Sequence, residues 1–219
     1  MSYKYDTVLF DLDGTLTDSA EGIINCAIYS FEKMGLPLYE RDWYRVFIGP
    51  PLKVTYAEDC GLNEEDTVKA IAYFRERYFT VGKYENCVYG GIEDMLKELK
   101  SAGLRLAVAT SKLENTAKEI LVHFGLDRYF DYIGGGLPDG SRDYKDQVIE
   151  YVMDILKADK HKTVMIGDRI HDIEGAKKVG IDSIGALYGY GSREELENAG
   201  ALFIADTPQD ITRLLLNLN

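Results

Sequence analysis

Cysteine is scarce in this 219-residue chain: Cys26, Cys60 and Cys87 are an odd number without close spacing. That excludes a disulfide framework and a zinc-ligand set, and it fits a reducing cytoplasm. No apolar run approaches the length of a membrane span or a signal-peptide core, and the stretch Val8-Leu9-Phe10 is far too short for either. No membrane partner is expected. Positive charge is in deficit, with 25 Lys and Arg against 37 Asp and Glu, a formal net charge of -12. So acidic a chain is not built to neutralise nucleic-acid phosphates, although carboxylates that hold a cation can still make a pocket for a small phosphate ester. The three histidines, His123, His161 and His171, lack any metal-ligand spacing and read as packing or surface residues. There is no internal repeat, low-complexity tract or like-charge block of the kind that keeps a chain unfolded.

What is present is a rhythm. Short apolar runs at 7–10, 104–109, 132–133, 163–166, 183–187 and 202–205 end in polar or glycine-rich turns and read as strands buried on both faces. From about Gly91 they alternate with amphipathic patterns at 92–100, 114–124, 146–157, 172–179 and 210–218. The expectation is an α/β fold, a Rossmann-like parallel sheet built from βαβ units. The stretch after the first strand breaks this rhythm, because it carries helical patterns and no convincing strand. Ile24, Ile28 and Phe31 share one helical face closed by Gly35, and Val68, Ala72 and Phe79 suggest a second face after the start signal Asn63-Glu64-Glu65. The expected organisation is a core of residues 1–18 and 85–219 with a helical cap, 19–84, inserted into it.

The strongest chemical signal is Asp11-Leu12-Asp13-Gly14-Thr15-Leu16-Thr17-Asp18, where the first strand ends. Residues two apart on a strand point the same way, so Asp11 and Asp13 share the carboxyl end, where open α/β sheets bind ligands. Gly14 permits a sharp turn that brings amides toward an anion, and Thr15 adds a hydroxyl donor. Two carboxylates so close call for a cation. A second strand ends in Thr110-Ser111-Lys112, whose hydroxyls can donate to a phosphate oxygen. A third leads into Gly167-Asp168-Arg169-Ile170-His171-Asp172, where Asp168 suits a hard cation and Asp172 serves as a further ligand or as a helix cap.

Together these motifs resemble the haloacid-dehalogenase superfamily, in its helical-cap, phosphoglycolate-phosphatase-like branch. The resemblance implies an aspartyl-phosphate phosphatase requiring Mg2+, with Asp11 as nucleophile and Asp13 as general acid and base. It makes Thr110 the phosphate-binding hydroxyl and Asp168 a metal ligand, joined by Asp11 and the Asp13 carbonyl. Gly14, Thr15 and Ser111 complete the phosphate pocket. The family also needs a lysine between these motifs. Lys145 is the candidate, although no proline follows it as in the usual context; Arg142 is the substitute, and a plain solvated charge is the third possibility. Asp13 speaks for phosphate over halide, because a leaving halide needs no proton. In the cap, Gly49-Pro50-Pro51 resembles a specificity loop that presents Arg45 and Lys53, or else is an ordinary connection. The expected substrate is a small phosphorylated metabolite, handled by a monomer or weak homodimer. A sugar phosphomutase is the alternative on the same scaffold. A phospho-aspartate receiver domain is the alternative of another class, disfavoured by the acidic pair two residues apart and by the long insertion.

Overall fold

The structure is a computed structural model that describes residues 4–217, so Leu218, the last residue of the expected final helix, lies outside the described residues. The chain opens with β1 (Thr7–Phe10) and the two-residue β2 (Thr17–Asp18), then enters a helical stretch. That stretch holds α1 (Ala20–Met34), the single turn α2 (Leu52–Val54) and α3 (Glu64–Thr80), and it leads to β3 (Cys87–Val88). Helices and strands then alternate as α4 (Ile92–Ser101), β4 (Arg105–Leu113), α5 (Glu114–His123), β5 (Tyr132–Gly136), α6 (Lys145–Leu156) and β6 (Thr163–Gly167). The chain closes with α7 (Ile170–Val179), β7 (Asp182–Ala186), α8 (Arg193–Ala199), β8 (Phe203–Ala205) and α9 (Pro208–Asn217). Among the described residues no helix is long and apolar enough to cross a membrane.

The chain divides into two compact units, Asp18–Cys87 and the remainder on either side of it. It passes between them at Thr17–Asp18 and at Cys87–Val88, and these two dipeptides are β2 and β3, neighbours in a two-stranded sheet. The larger unit is an α/β fold around a six-stranded sheet of order β5-β4-β1-β6-β7-β8, parallel throughout. Alternation along the strands sorts its core. Val8, Phe10, Leu106, Val108, Val164 and Ile166 face one layer, packed by α4, α5 and α9, whereas Leu9, Ala107, Ala109 and Met165 face α6 and α7 on the other side. Both faces are buried, which is why these strands read as continuous apolar runs.

Two strands run further than their apolar runs indicate. β4 continues through Thr110 to Leu113, and its pairing with β5 slips between Ala109 and Leu113. β5 extends into Gly134-Gly135-Gly136 because a side chain there has no room: a Cβ on Gly135 would lie 2.5 Å from the Lys112 carbonyl oxygen, and one on Gly136 would lie 2.8 Å from that of Ser111. Glycine here admits the bulged end of the neighbouring strand.

The helical unit packs around Phe31, whose ring meets Tyr39, Trp43, Tyr44, Phe47 and Tyr56 at centroid distances of 5.2–6.4 Å. Tyr44, Phe47 and Tyr56 are buried in this core, Trp43 is half-buried beside it, and Tyr39 is exposed. α1 ends as its sequence indicates, with Gly35 left-handed at φ 64°. The Asn63 side chain caps α3 by accepting from the Asp66 amide at 2.9 Å. The expected face of α3 is corrected. Val68, Ala72 and Phe79 are exposed, and Thr67, Ala70, Phe74 and Tyr78 are buried. Both stripes repeat at helical spacing, and the one with the larger aromatic area, Phe74 stacked on Tyr78 at 5.6 Å, faces inward. Phe74→Ala should therefore cost about 3–5 kcal/mol of stability, and Val68→Ala should fall within about 0.5 kcal/mol, as measured by chemical denaturation.

Candidate active site

The register of the three central strands assembles the site. Phe10 pairs with Val108 on one side and with Ile166 on the other, so Asp11 follows β1 at the level where β4 reaches Thr110 and β6 ends before Asp168. The Asp11 amide donates to the Ile166 carbonyl at 2.9 Å, which fixes the nucleophile candidate against its neighbour strand. Beyond β1 the chain builds β4 and β5 to one side and β6, β7 and β8 to the other. Asp11 thus stands at the topological switch point, where strand ends diverge and leave a crevice.

Lys145 lies at the centre. Its Nζ is 2.8 Å from Asp11 Oδ1 and 2.8 Å from Asp172 Oδ1, and its side chain is 5% exposed. It opens α6, and α7 passes close by because Gly175 leaves room for the lysine stem; a Cβ there would lie 2.9 Å from Lys145 Cγ. Burial works against the ammonium, but Asp11 and Asp172 outweigh it and hold the group above the ordinary lysine value. The structure thereby separates the two basic candidates. Arg142 donates to the Gly135 carbonyl, pairs with Glu114 at 2.6 Å and lies over the Tyr151 ring, so it anchors β5 to α5 and does not reach the carboxylates.

Of the two roles expected for Asp172, the cap is seen, and the side chain also faces the buried lysine. Oδ2 accepts from the Arg169 amide at 3.1 Å and caps α7, while Oδ1 faces Lys145. Burial pushes its carboxyl upward, Lys145 opposes that, and Asp11 reinforces it. Asp168 is fully buried and is pushed well up, by burial first and then by Asp172 and Asp11. It is held from two sides: Thr15 Oγ1 donates to Oδ1 at 3.1 Å, and the Tyr190 amide donates to Oδ2 at 2.8 Å.

That contact corrects the reading of Thr15. Its hydroxyl is completely buried and turned to Asp168, so it positions a carboxylate and does not face a substrate. Gly14 is corrected likewise. Its amide donates to the Thr17 carbonyl, and those of Thr15, Leu16 and Thr17 all turn back to the Leu12 carbonyl, so the turn consumes these four donors. Glycine is required there because φ is +80° and because a Cβ would lie 2.1 Å from Asp168 Oδ2. The Leu12 and Asp13 amides are not among those the turn uses.

The carboxylates that converge are Asp11, Asp168 and Asp172, with ligand oxygens all within 4.8 Å of one another. The Asp13 side chain is not one of them. Its Oδ2 pairs with Lys112 Nζ at 2.7 Å, and its Oδ1 is buried without a hydrogen-bond partner. Lys112 is the residue that sequence reasoning missed, since a lysine after a strand is ordinarily a solvated charge. Thr110 is buried, its hydroxyl accepting from the Lys112 amide at 3.3 Å, and Ser111 is exposed in the slipped part of β4. Arg45 and Lys53 are exposed residues of the helical unit.

The donor set fits a hard divalent cation. All its candidate ligands are oxygens, three carboxylates cluster where one buried ammonium pairs with two of them, and Asp11 Oδ1 and Asp172 Oδ1 have ion pairs to Lys145 but no hydrogen bond. Mg2+ takes such ligands readily. Metals that prefer thiolate do not suit the site.

The family model described as haloacid dehalogenase-like hydrolase matches residues 8–186. A 5'-nucleotidase of Pseudomonas aeruginosa is 41% identical over 195 residues, covering 88% of this chain and 87% of that protein. The tyrosine-protein kinase PtkA of Mycobacterium tuberculosis is 40% identical over 197 residues, covering 90% of this chain and 67% of the kinase. The crystal structure of a predicted phosphatase from Clostridium acetobutylicum superposes with a TM-score of 0.93 at 45% identity, covering 98% of this chain and 99% of that one. With a family match across most of its length and an aspartate cluster at the switch point of its parallel sheet, the chain belongs to the haloacid dehalogenase-like hydrolases and is an enzyme of their phosphatase branch.

Proposed function

We propose that the chain is a Mg2+-dependent phosphomonoester hydrolase that acts on a small phosphorylated metabolite through an aspartyl-phosphate on Asp11. The observation that carries this reading is the Asp11 carboxylate at the end of a central strand, paired at 2.8 Å with the buried Lys145 and flanked by Asp168 and Asp172. Asp11, Asp168 and the Asp13 carbonyl would hold the metal, with Asp172 behind them, and the ion would supply neutralising charge to the phosphate oxygens. Lys145 adds a fixed positive charge beside the nucleophile. The Thr110 hydroxyl and the Leu12 and Asp13 amides are the donors left to orient the phosphoryl group.

In the first step an Asp11 oxygen bonds to phosphorus, the ester P–O bond breaks, and a proton from the Asp13 carboxyl goes to the leaving oxygen. In the second step water attacks phosphorus, its proton passes to Asp13, and the bond to Asp11 breaks to release inorganic phosphate. Three cysteines, none of them in a disulfide, support a reducing, cytoplasmic setting. The helical unit would select the substrate, with Arg45 and Lys53 as candidate contacts. The 5'-nucleotidase relative favours nucleoside monophosphates over phosphoglycolate and sugar phosphates as the first class to test. A panel of these ranked by kcat/KM with Mg2+ present decides the class, and recovery of inorganic phosphate rather than an isomeric sugar phosphate separates hydrolase from mutase.

Chelation should abolish turnover, and Mg2+ should restore it; full activity in a metal-free preparation would refute the metal assignment. Asp11→Asn should show neither turnover nor covalent label from a radioactive ester. Asp13→Asn should lose about 10²- to 10⁴-fold in kcat on an alkyl ester yet still accumulate label on Asp11 from an activated aryl phosphate. Lys145→Met should lower kcat by about 10²- to 10³-fold at saturating Mg2+, the scale for removing one preorganised electrostatic contact.

A further inference from the structure

The pair formed by Lys112 and Asp13 has no part in the scheme above, and the fold is shaped to make it. β4 slips its register between Ala109 and Leu113, and the carbonyls of Ser111 and Lys112 occupy the space that side chains on Gly136 and Gly135 would fill. This bulge brings Lys112 Nζ to 2.7 Å from Asp13 Oδ2, with the two side chains 10% and 22% exposed. The same residue's amide donates to Thr110 Oγ1 at 3.3 Å. Asp13 Oδ1 is left buried with no hydrogen-bond partner. One carboxylate oxygen is thus anchored, and the other is buried with its hydrogen-bonding capacity unused.

We propose that Lys112 is a positioning residue, which fixes the Asp13 carboxylate through Oδ2 so that Oδ1 is the oxygen that exchanges the proton with the leaving group and with the attacking water. This rests on the phosphatase reading of Asp11 and Asp13. An unanchored carboxylate turns about its side-chain bonds, and misplacement of a catalytic group by about 1 Å can cost roughly 10²-fold. The bulge, with its glycines opposite, serves to aim this one lysine.

The test compares wild type, Lys112→Met and Lys112→Arg on an alkyl phosphate and on an activated aryl phosphate. kcat/KM ends at departure of the leaving group, whereas kcat includes hydrolysis of the phosphoenzyme. For Lys112→Met, kcat/KM on the alkyl ester should fall about 10²-fold, the scale of such a misplacement. On the aryl ester kcat/KM should hold, because that leaving group needs no proton, while kcat and KM fall together and labelled phosphoenzyme accumulates. Lys112→Arg, which can still reach Oδ2, should recover much of the alkyl activity. Equal loss of kcat/KM on both esters, or no loss on either, overturns the positioning role while the phosphatase reading stands. A variant that unfolds is replaced by Lys112→Gln, judged by the same ratio. Failure of the phosphatase reading itself has a different signature, a wild-type chain that hydrolyses neither ester with Mg2+ present, and it removes this inference as well.

Discussion

A lysine ammonium buried between two carboxylates is the contact around which the larger unit is arranged. Taken from water singly, each of these charges would cost several kcal/mol, and together at 2.8 Å they offset most of that cost. The pair ties β1 to α6 and, through Asp172, to the start of α7. It therefore joins the central strand to two helices of one face at a single point. Two of the three clustered carboxylates pair with this one ammonium, so negative charge stays in excess; burial first, and the neighbouring carboxylates after it, displace Asp168 and Asp172 upward. A divalent cation relieves that excess in a way that no rearrangement of these side chains could.

Around this point the protein uses glycine to bring carboxylates and backbone together. The loop after β7 presses Gly189 against Asp168, where a Cβ would lie 2.4 Å from that residue's Cβ, and its next amide donates to Asp168 Oδ2. Two hydrogen bonds on one carboxylate leave it little rotational freedom, so Asp168 is preorganised by the turn after β1 and by the loop after β7 together. Tyr188 in the same loop, its phenol pushed up by burial, donates to the Thr15 carbonyl at 3.0 Å and ties the loop back to that turn.

The parallel sheet and the positions of Asp11, Thr110 and Asp168 were legible because strand periodicity and the ends of apolar runs are local properties. What the sequence could not convey was direction. Thr15 carries a hydroxyl that the local sequence allows to face either a ligand or Asp168, a residue 153 positions away, and only the packed sheet decides. Lys145 and Arg142 differ by three positions and one helix start, and the contact with Glu114 that occupies Arg142 is invisible until α5 and β5 are neighbours. Lys112 escaped for the same reason, since the slip in β4 that aims it is a property of two strands. On α3 two stripes compete at one period, and burial goes to the stripe holding Phe74 and Tyr78.

The helical unit begins and ends in paired strands, β2 and β3, each two residues long. A segment that departs and returns through adjacent strands leaves the sheet order of the larger unit untouched whatever lies between. In the history of such a chain, the roughly seventy residues from Asp18 to Cys87 form a cassette. Insertions, deletions and replacements within it change the entropy of closing that loop only logarithmically with its length. The two units can then drift in sequence at different rates along one polypeptide, with the two-residue strands as the seam between them.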